Sequence, residues 1–214
     1  MSAAPNRGRV HETAEIEAGV VIGDDTAVWS HVHVRGPGTS IGDECIVGER
    51  TYIAYGVSIG DRVKINAGVY VCTGVTLADG VMVGAGVIFT NDRYPRATTP
   101  DLRVRRASEP DERTQPTTVE AGATIGAGSV IGCDLTIGRF AMVGMGAVVT
   151  RSVAPFHLVV GQPARPVAIV SRAGEPLVRF SGARPPDREL LTCPRSGLRY
   201  AVRGGIVEEL DPPP

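Results

Sequence analysis

Histidine is the side chain best suited to exchange a proton near neutral pH, and the chain contains only four. They are His11, His31, His33 and His157. His33 stands between Val32 and Val34 in an alternation typical of a β-strand, so its side chain should point away from the apolar side. We interpret His33 as a candidate ligand-contact residue on an outer face. A plain surface histidine is the alternative.

The stretch after Phe89 holds a second group of residues that could do chemistry. About 28 residues there lack any regular pattern, and long unpatterned loops in compact proteins are often functional. The loop carries several arginines, namely Arg93, Arg96, Arg103, Arg105, Arg106 and Arg113. Guanidinium groups pair bidentately with phosphates and carboxylates, so the loop is a candidate anion-binding segment. A solvated face is the alternative, because arginine supplies nearly all basic residues of this chain.

Asn91 opens this loop two residues after Phe89, which places its side chain on a rigid base. An amide can donate or accept a hydrogen bond without titrating, so it can orient a reacting group. On the residues alone, the alternative is an Asx turn that only starts the loop.

The cysteines indicate neither a metal site nor a disulfide framework. They are far apart in sequence and form no CxxC pair: Cys45, Cys72, Cys133 and Cys193. Reduced thiols fit this pattern best, with Cys45 and Cys72 as small buried residues. We therefore expect no bound metal.

These residues are embedded in a repeat of six. An apolar residue returns every sixth position from Val10 to Val34, then, after a slip of one residue, from Ile41 to Phe89, and again from Val119 to Val149. A second small or β-branched residue lies two positions earlier, and Gly-Asp or Gly-Ala often follows, so each hexad predicts a short strand and a corner. Three hexads make a coil of about 18 residues, and about twenty hexads make six to seven stacked coils. The sequence predicts an all-β fold, a parallel β-helix.

The repeat also divides the chain. We expect a flexible N-terminus at residues 1–9 and a β-helix domain at 10–166, with an extruded loop at 90–118. A C-terminal extension follows at 167–214. Within it, 198–202 and 206–210 flank Gly204-Gly205 and predict a β-hairpin that covers the end of the β-helix.

Composition excludes several classes of protein. The 214 residues carry a formal net charge of -1, which gives no reason to expect binding to nucleic acid or to an anionic membrane. No apolar run approaches the roughly 18 residues that span a bilayer, and nothing resembles a signal peptide. The expectation is a cytoplasmic protein.

Two sets of residues resemble known proteins. Hexads such as Ile22-Gly-Asp-Asp-Thr-Ala and Ile125-Gly-Ala-Gly-Ser-Val resemble the hexapeptide-repeat acyltransferases, whose fold is a left-handed parallel β-helix assembled as a homotrimer. The stretch 89–96, Phe-Thr-Asn-Asp-Arg-Tyr-Pro-Arg, is similar to a motif of the bacterial subgroup that N-acetylates nucleotide-linked 3-amino sugars. Further matches are 28–29, 33–35, 160–165, 193–194, 196–197 and Tyr200.

The resemblance implies an acetyl-CoA-dependent sugar N-acetyltransferase with roles for named residues. Asn91 would orient the amine of the sugar as the catalytic residue, no protein base would be essential, and the departing CoA sulfur would take the proton. The substrate contacts would be His33, Arg93, Tyr94 and Arg96. The CoA arm would lie along corners that stack because they are 18 residues apart, Gly126-Ala127 and Gly144-Met145, with Arg165 at its nucleotide end.

Three alternatives remain. An O-acetyltransferase could use the same scaffold, although attack by a hydroxyl group normally needs a base. A zinc lyase resembling gamma-type carbonic anhydrase would need three converging His ligands, and no His lies between His33 and His157. A binding or purely structural solenoid is the third alternative. An ice-binding β-helix would carry regular Thr ladders on a flat face, and the sequence shows none.

Overall fold

The structure is a computed structural model that describes residues 8–182 and 184–212. Residues 1–7 of the predicted N-terminal segment lie outside the described residues. Every secondary-structure element assigned in the described residues is a β-strand. No helix in this part of the chain is long and apolar enough to cross a membrane.

Nineteen short strands come first along the chain. In order they are β1 (Glu15–Ile16), β2 (Val21–Ile22), β3 (Ala27–Val28), β4 (His33–Val34), β5 (Ser40–Ile41), β6 (Ile46–Val47), β7 (Tyr52–Ile53), β8 (Ser58–Ile59), β9 (Lys64–Ile65), β10 (Tyr70–Val71), β11 (Val75–Leu77), β12 (Met82–Val83), β13 (Ile88–Phe89), β14 (Thr117–Val119), β15 (Thr124–Ile125), β16 (Val130–Ile131), β17 (Leu135–Ile137), β18 (Met142–Val143) and β19 (Val148–Val149). The remaining strands are β20 (His157–Val160), β21 (Arg165–Val170), β22 (Pro176–Arg179), β23 (Arg188–Thr192), β24 (Arg199–Arg203) and β25 (Ile206–Glu209).

The short strands stack into three parallel sheets, one for each side of a prism. Sheet 1 contains β1, β4, β7, β10, β13, β16 and β19; sheet 2 contains β2, β5, β8, β11, β14 and β17; sheet 3 contains β3, β6, β9, β12, β15, β18 and β20. Outside the loop, each strand pairs with the strand that lies about 18 residues later in sequence, as Tyr52 pairs with Tyr70. This confirms the predicted left-handed parallel β-helix.

The interior follows the hexad phase. The aliphatic residue of each hexad points inward, and the inward column of sheet 1 is almost fully buried: Val34, Ile53, Val71, Phe89 and Ile131. Burial of each such side chain contributes about 1.5–3 kcal/mol. The other inward position, two residues earlier in the hexad, can hold a hydroxyl side chain because the hydroxyl donates a hydrogen bond to a backbone carbonyl. Ser129 Oγ, for example, donates to the Gly144 carbonyl at 3.0 Å.

The outer face of sheet 2 carries a column of hydroxyl side chains. Adjacent strands align Ser40, Ser58, Thr76, Thr118 and Thr136 in register. The column mixes serine with threonine, so it is not the regular Thr ladder of an ice-binding face. The loop between β13 and β14 breaks the sequence spacing, so the alignment of the two halves is visible only in the folded chain.

The extruded loop leaves the β-helix after β13 and returns at β14. Its predicted end at residue 118 was two residues too late, because Thr117 and Thr118 pair with Val75 and Thr76 of β11. Thr117 is buried, and its hydroxyl donates to the Gly132 carbonyl at 3.2 Å, so this polar residue takes an inward position in the coil. The loop therefore spans residues 90–116.

The C-terminal region covers the end of the β-helix. Strand β20 pairs antiparallel with β21, and β21 with β22. The predicted hairpin is confirmed as β24 and β25 around Gly204-Gly205, but it belongs to a three-stranded sheet in which β23 pairs with β24. A second apolar cluster packs this sheet against the β-helix: Phe156, Ile169, Cys193, Tyr200, Val202 and Val207.

Candidate functional site

The base of the extruded loop is fixed by backbone hydrogen bonds. The Thr90 N–H donates to the Ile131 carbonyl of the next coil at 3.0 Å, and the Gln115 N–H donates to the Asn91 carbonyl at 2.8 Å. These bonds join the outgoing and returning arms next to the β-helix. Asn91 is half-buried at this junction.

Two clefts adjoin this junction. The larger, of about 570 Å³, lies between the loop and the next corner of the β-helix and is lined by Asp92, Arg93, Tyr94, Arg96, Glu112, Arg113, Gln115 and Asp134. The smaller, of about 350 Å³, includes Asn91, Asp92 and Arg96 in its wall. The structure thus brings together four of the predicted residues, Asn91, Arg93, Tyr94 and Arg96.

The larger cleft carries both signs of charge. Arg93 Nη2 lies 3.3 Å from Asp134 Oδ2, with about half of each side chain exposed. Asp92 Oδ1 accepts a hydrogen bond from the Tyr94 N–H at 2.8 Å, which turns the chain so that the Tyr94 ring stands exposed at the rim. Arg96 and Arg113 add cationic groups, whereas Glu112 adds a carboxylate. Such a cleft suits a ligand that has an anionic part and a cationic part.

Sequence reasoning missed Asp134. It lies at the corner directly after β16, one coil beyond the corner from which the loop leaves, and it adopts a positive φ of 58°. The signal that could have found it is this corner position, because a loop that leaves one coil must pass the matching corner of the next.

His33 does not join the site in one chain. It lies on the outer face of sheet 1 in β4, and β7 and β10 separate β4 from β13. At roughly 4.8 Å per strand, Asn91 is about 14 Å further along the axis.

The His33 ring is nevertheless held in place. Its Nε2 lies 3.0 Å from Glu17 Oε1, and the ring meets Tyr52 edge-on at 5.5 Å. Glu17 also pairs with Arg35. The pKa of Glu17 is lowered, first by the Gly36 N–H that donates to its carboxylate and then by His33 and Arg35, against the effect of burial.

The two glycine corners stack on one edge of the prism, as predicted, and this edge is not the one from which the loop leaves. Gly126-Ala127 follows β15 and Gly144-Met145 follows β18, and the Gly146 N–H donates to the Ala127 carbonyl at 2.8 Å. A Cβ atom on Gly126 would lie 2.5 Å from the Met145 nitrogen, so the close stacking requires glycine. These corners join sheet 3 to sheet 1, whereas the loop joins sheet 1 to sheet 2. One chain therefore keeps the corners and the loop on opposite edges of sheet 1.

Arg165 lies apart from both features. It is exposed at the start of β21, and its Nη1 donates to the neighbouring Ala164 carbonyl at 2.9 Å. It borders a cleft of about 620 Å³ at the end of the last coil, together with Arg151, Val153 and Phe180. Residues 8–182 and 184–212 contain no group of three or more His, Cys, Asp or Glu side chains arranged to hold a metal ion.

Comparison with known proteins gives matches along the repeat. A family model described as the hexapeptide repeat of succinyl-transferase matches residues 38–72 and 116–151. A second model, bacterial transferase hexapeptide (six repeats), matches residues 56–91. A search of curated proteins found no match.

Solved structures that resemble the chain include several transferases. The polySia-specific acetyltransferase NeuO is 17% identical with a TM-score of 0.53, over 81% of this chain and 92% of that one. A GDP-perosamine N-acetyltransferase mutant from Caulobacter crescentus is 21% identical with a TM-score of 0.45, over 74% and 55%. An AntD mutant, an N-acyltransferase from Bacillus cereus, is 18% identical with a TM-score of 0.49, over 74% and 78%.

The matched region covers only about 55% of the Caulobacter crescentus structure. The likeness to NeuO concerns the fold, and the family models concern the repeat itself. Together with the three parallel sheets and the buried hexad positions, these matches identify residues 38–91 and 116–151 as hexapeptide repeats folded into a β-helix.

Proposed function

We propose that the protein moves the acetyl group of acetyl-CoA onto the amine of a nucleotide-linked amino sugar, a 3-amino-3-deoxy sugar carried on dTDP or UDP. The observation that carries the proposal is the placement of Asn91. It stands where an arginine-rich loop leaves a hexapeptide β-helix, beside two clefts. The similarity of residues 89–96 to the motif of the sugar N-acetyltransferases supports the same conclusion.

The charges of the larger cleft fit such a substrate. A sugar nucleotide carries an anionic diphosphate, which the guanidinium groups of Arg96 and Arg113 can bind bidentately. Its free amine is a cation until it loses a proton, and Asp134 and Glu112 place carboxylates in the same cleft. The exposed Tyr94 ring at the rim offers a flat apolar surface to the sugar or the base.

The reaction requires little proton chemistry from the protein. The bound ammonium group first releases a proton to solvent. The neutral amine nitrogen then attacks the thioester carbonyl carbon, the C–S bond breaks, and an amide forms. The proton lost by the nitrogen goes to the departing CoA sulfur, which becomes the free thiol. Asn91 would hold the amine by its side-chain amide so that the lone pair points at the thioester. The residues that line the two clefts include no histidine, which fits a mechanism without a protein base.

The opposite placement of the loop and the glycine corners supports a site shared between copies of the chain. We infer a homotrimer in which the corners Gly126-Ala127 and Gly144-Met145 of one copy face the loop of the next and hold the CoA arm. Met145 is 84% exposed, as a residue that contacts a ligand or a neighbouring copy would be. Arg165 would meet the nucleotide end of CoA, and His33 would contact substrate from the face of sheet 1.

Two other activities use the same scaffold. An O-acetyltransferase needs a base at the attacking hydroxyl, and no histidine lines the two clefts beside Asn91. A zinc lyase needs three ligands that converge, and the described residues do not provide such a group. The amine acceptor therefore fits the clefts better.

The proposal is tested by a substrate panel. The purified protein is incubated with acetyl-CoA and with dTDP- and UDP-linked sugars that carry an amine at C3, an amine at C4, or only hydroxyls, and free thiol is followed over time. We expect thiol release with a 3-amino sugar and none with the hydroxy sugars. Release with hydroxy sugars alone would reject the proposal.

A further inference from the structure

Arg106 differs from the other arginines of the extruded loop. Its side chain is 20% exposed, whereas that of Arg93 is 51% exposed and that of Arg103 is 84% exposed. A guanidinium so far removed from water needs partners, and it makes a poor first contact for an incoming phosphate. Arg106 also lines the smaller cleft, but its guanidinium is engaged by carboxylates of the loop itself.

The partners of Arg106 lie on opposite arms of the loop. Its Nη1 is 3.4 Å from Asp92 Oδ2 on the outgoing arm, and its Nη2 is 3.0 Å from Asp111 Oδ2 on the returning arm. Nη1 also lies 3.5 Å from the Arg96 carbonyl oxygen. One side chain thus joins two segments that are well separated in sequence, above the backbone bond between Gln115 and Asn91.

Each of the two carboxylates then holds the backbone of one wall of the larger cleft. Asp92 Oδ1 accepts from the Tyr94 N–H at 2.8 Å, and Asp111 Oδ1 accepts from the Arg113 N–H at 2.9 Å. The hydrogen bond between Arg106 and Asp111 joins two charged groups. The pKa of Arg106 is raised, mainly by its hydrogen bond with Asp111, and the pKa of Asp111 is lowered by the Arg113 N–H and by Arg106.

We propose that Arg106 is a positioning residue for acetyl transfer: through Asp92 and Asp111 it fixes the distance between the two walls of the sugar-nucleotide cleft, without touching substrate. This inference rests on the proposed function. The coils above and below the loop have their own ladder bonds, Thr90 N–H to Ile131 and the three pairs between β11 and β14, so Arg106 is not needed to fold the β-helix.

The test compares Arg106→Ala, Arg106→Lys and the matched control Arg103→Ala. Hydrogen–deuterium exchange reports the order of the loop independently of activity. We expect faster exchange in peptides from 91–115 for Arg106→Ala, with unchanged exchange in peptides from 117–149. Arg106→Lys, which can reach one carboxylate but not both, should lie between the wild type and Arg106→Ala. Arg103→Ala should leave the hydrogen–deuterium exchange of the loop as in the wild type.

Steady-state kinetics distinguish a role of Arg106 in positioning the substrate from a role only in ordering the loop. For Arg106→Ala we expect kcat/KM for the amino-sugar nucleotide to fall about tenfold to a hundredfold, as misplaced substrate walls imply, while KM for acetyl-CoA stays constant. Unchanged loop exchange would overturn the bridge. Faster exchange with unchanged kcat/KM would overturn the positioning role. If the wild type itself transfers no acetyl group, the proposed function fails, and the exchange data still decide whether the bridge exists.

Discussion

Replacing Glu209 with glutamine should loosen the C-terminal sheet from the end of the β-helix. Glu209 lies in β25, its side chain is 5% exposed, and it pairs with Arg139 at a corner of the β-helix and with Arg172 after β21. Both guanidiniums also lie over aromatic rings, Arg139 over Phe156 at 4.9 Å and Arg172 over Phe140 at 4.6 Å. One carboxylate therefore joins three segments.

The size of the effect follows from the exposure of the partners. Glutamine keeps the shape but loses the charge, so it weakens hydrogen bonds that contribute about 1.5–3 kcal/mol each when charged. The side chains of Arg139 and Arg172 are 43% and 27% exposed, so water recovers part of this loss. We expect a net cost of about 2–3 kcal/mol, below that of breaking a fully buried pair. For a chain of this length, that lowers Tm by roughly 4–12 °C.

The neighbouring Glu208→Gln variant is the matched control. Glu208 pairs with Arg203 on the surface, where both side chains are about half exposed. Exposed pairs contribute at most about 1 kcal/mol, so this variant should unfold close to the wild type. Thermal unfolding followed by circular dichroism compares the three proteins. Equal Tm values for Glu209→Gln and Glu208→Gln would refute the anchoring role of Glu209.

Acid should remove the same stabilisation. Burial alone would raise the pKa of Glu209, but the hydrogen bonds and charges of Arg172 and Arg139 lower it overall. A carboxyl group whose pKa is lower in the folded chain stabilises it above the unfolded pKa of about 4.3, and this contribution disappears as pH falls through the folded pKa. The Tm difference between wild type and Glu209→Gln should be full at pH 7 and shrink below about pH 4. A difference that grows on acidification would contradict this reasoning.

Further predictions concern the site. Asn91→Ala should lower kcat by about a hundredfold to a thousandfold with Tm unchanged, because it removes one orienting hydrogen bond; an unchanged kcat in a steady-state assay would reject its role. Gly126→Val should lower Tm or prevent folding, since its Cβ would lie 2.5 Å from the Met145 nitrogen; a wild-type melting curve would contradict the close stacking. Met145→Glu should fold normally and lose activity, and its co-expression with Asn91→Ala should restore about a quarter of wild-type activity through random mixing in a shared-site trimer, whereas a site within one chain would restore none.

The hexad phase predicted the β-helix because its physical cause is local. Inward positions such as Val34 and Ile53 carry aliphatic side chains, and each corner must allow a sharp bend. The residue types within one hexad therefore indicate which positions face the core and which form the corner. The prediction failed where a polar residue takes an inward place. Thr117 is buried because its hydroxyl finds the Gly132 carbonyl, a partner that belongs to a later coil.

Contacts across the loop could not be predicted from spacing. Arg93 meets Asp134 only because the loop folds back on the next coil. The hydroxyl column of sheet 2 was missed for the same reason, because the inserted loop separates Thr76 from Thr118 in sequence. Strand β23 was missed because its residues, Arg188–Thr192, show no alternation of polar and apolar side chains and lie at the edge of a sheet.

The most direct test of acetyl transfer to an amine is to identify the bond that forms. The protein is mixed with acetyl-CoA labelled with ¹³C at the carbonyl and with a dTDP- or UDP-linked 3-amino-3-deoxy sugar, and the product is analysed by NMR before and after treatment with hydroxylamine. We predict a labelled amide at the sugar nitrogen that hydroxylamine leaves intact. A labelled ester that hydroxylamine removes, or label that stays on CoA, would contradict the account.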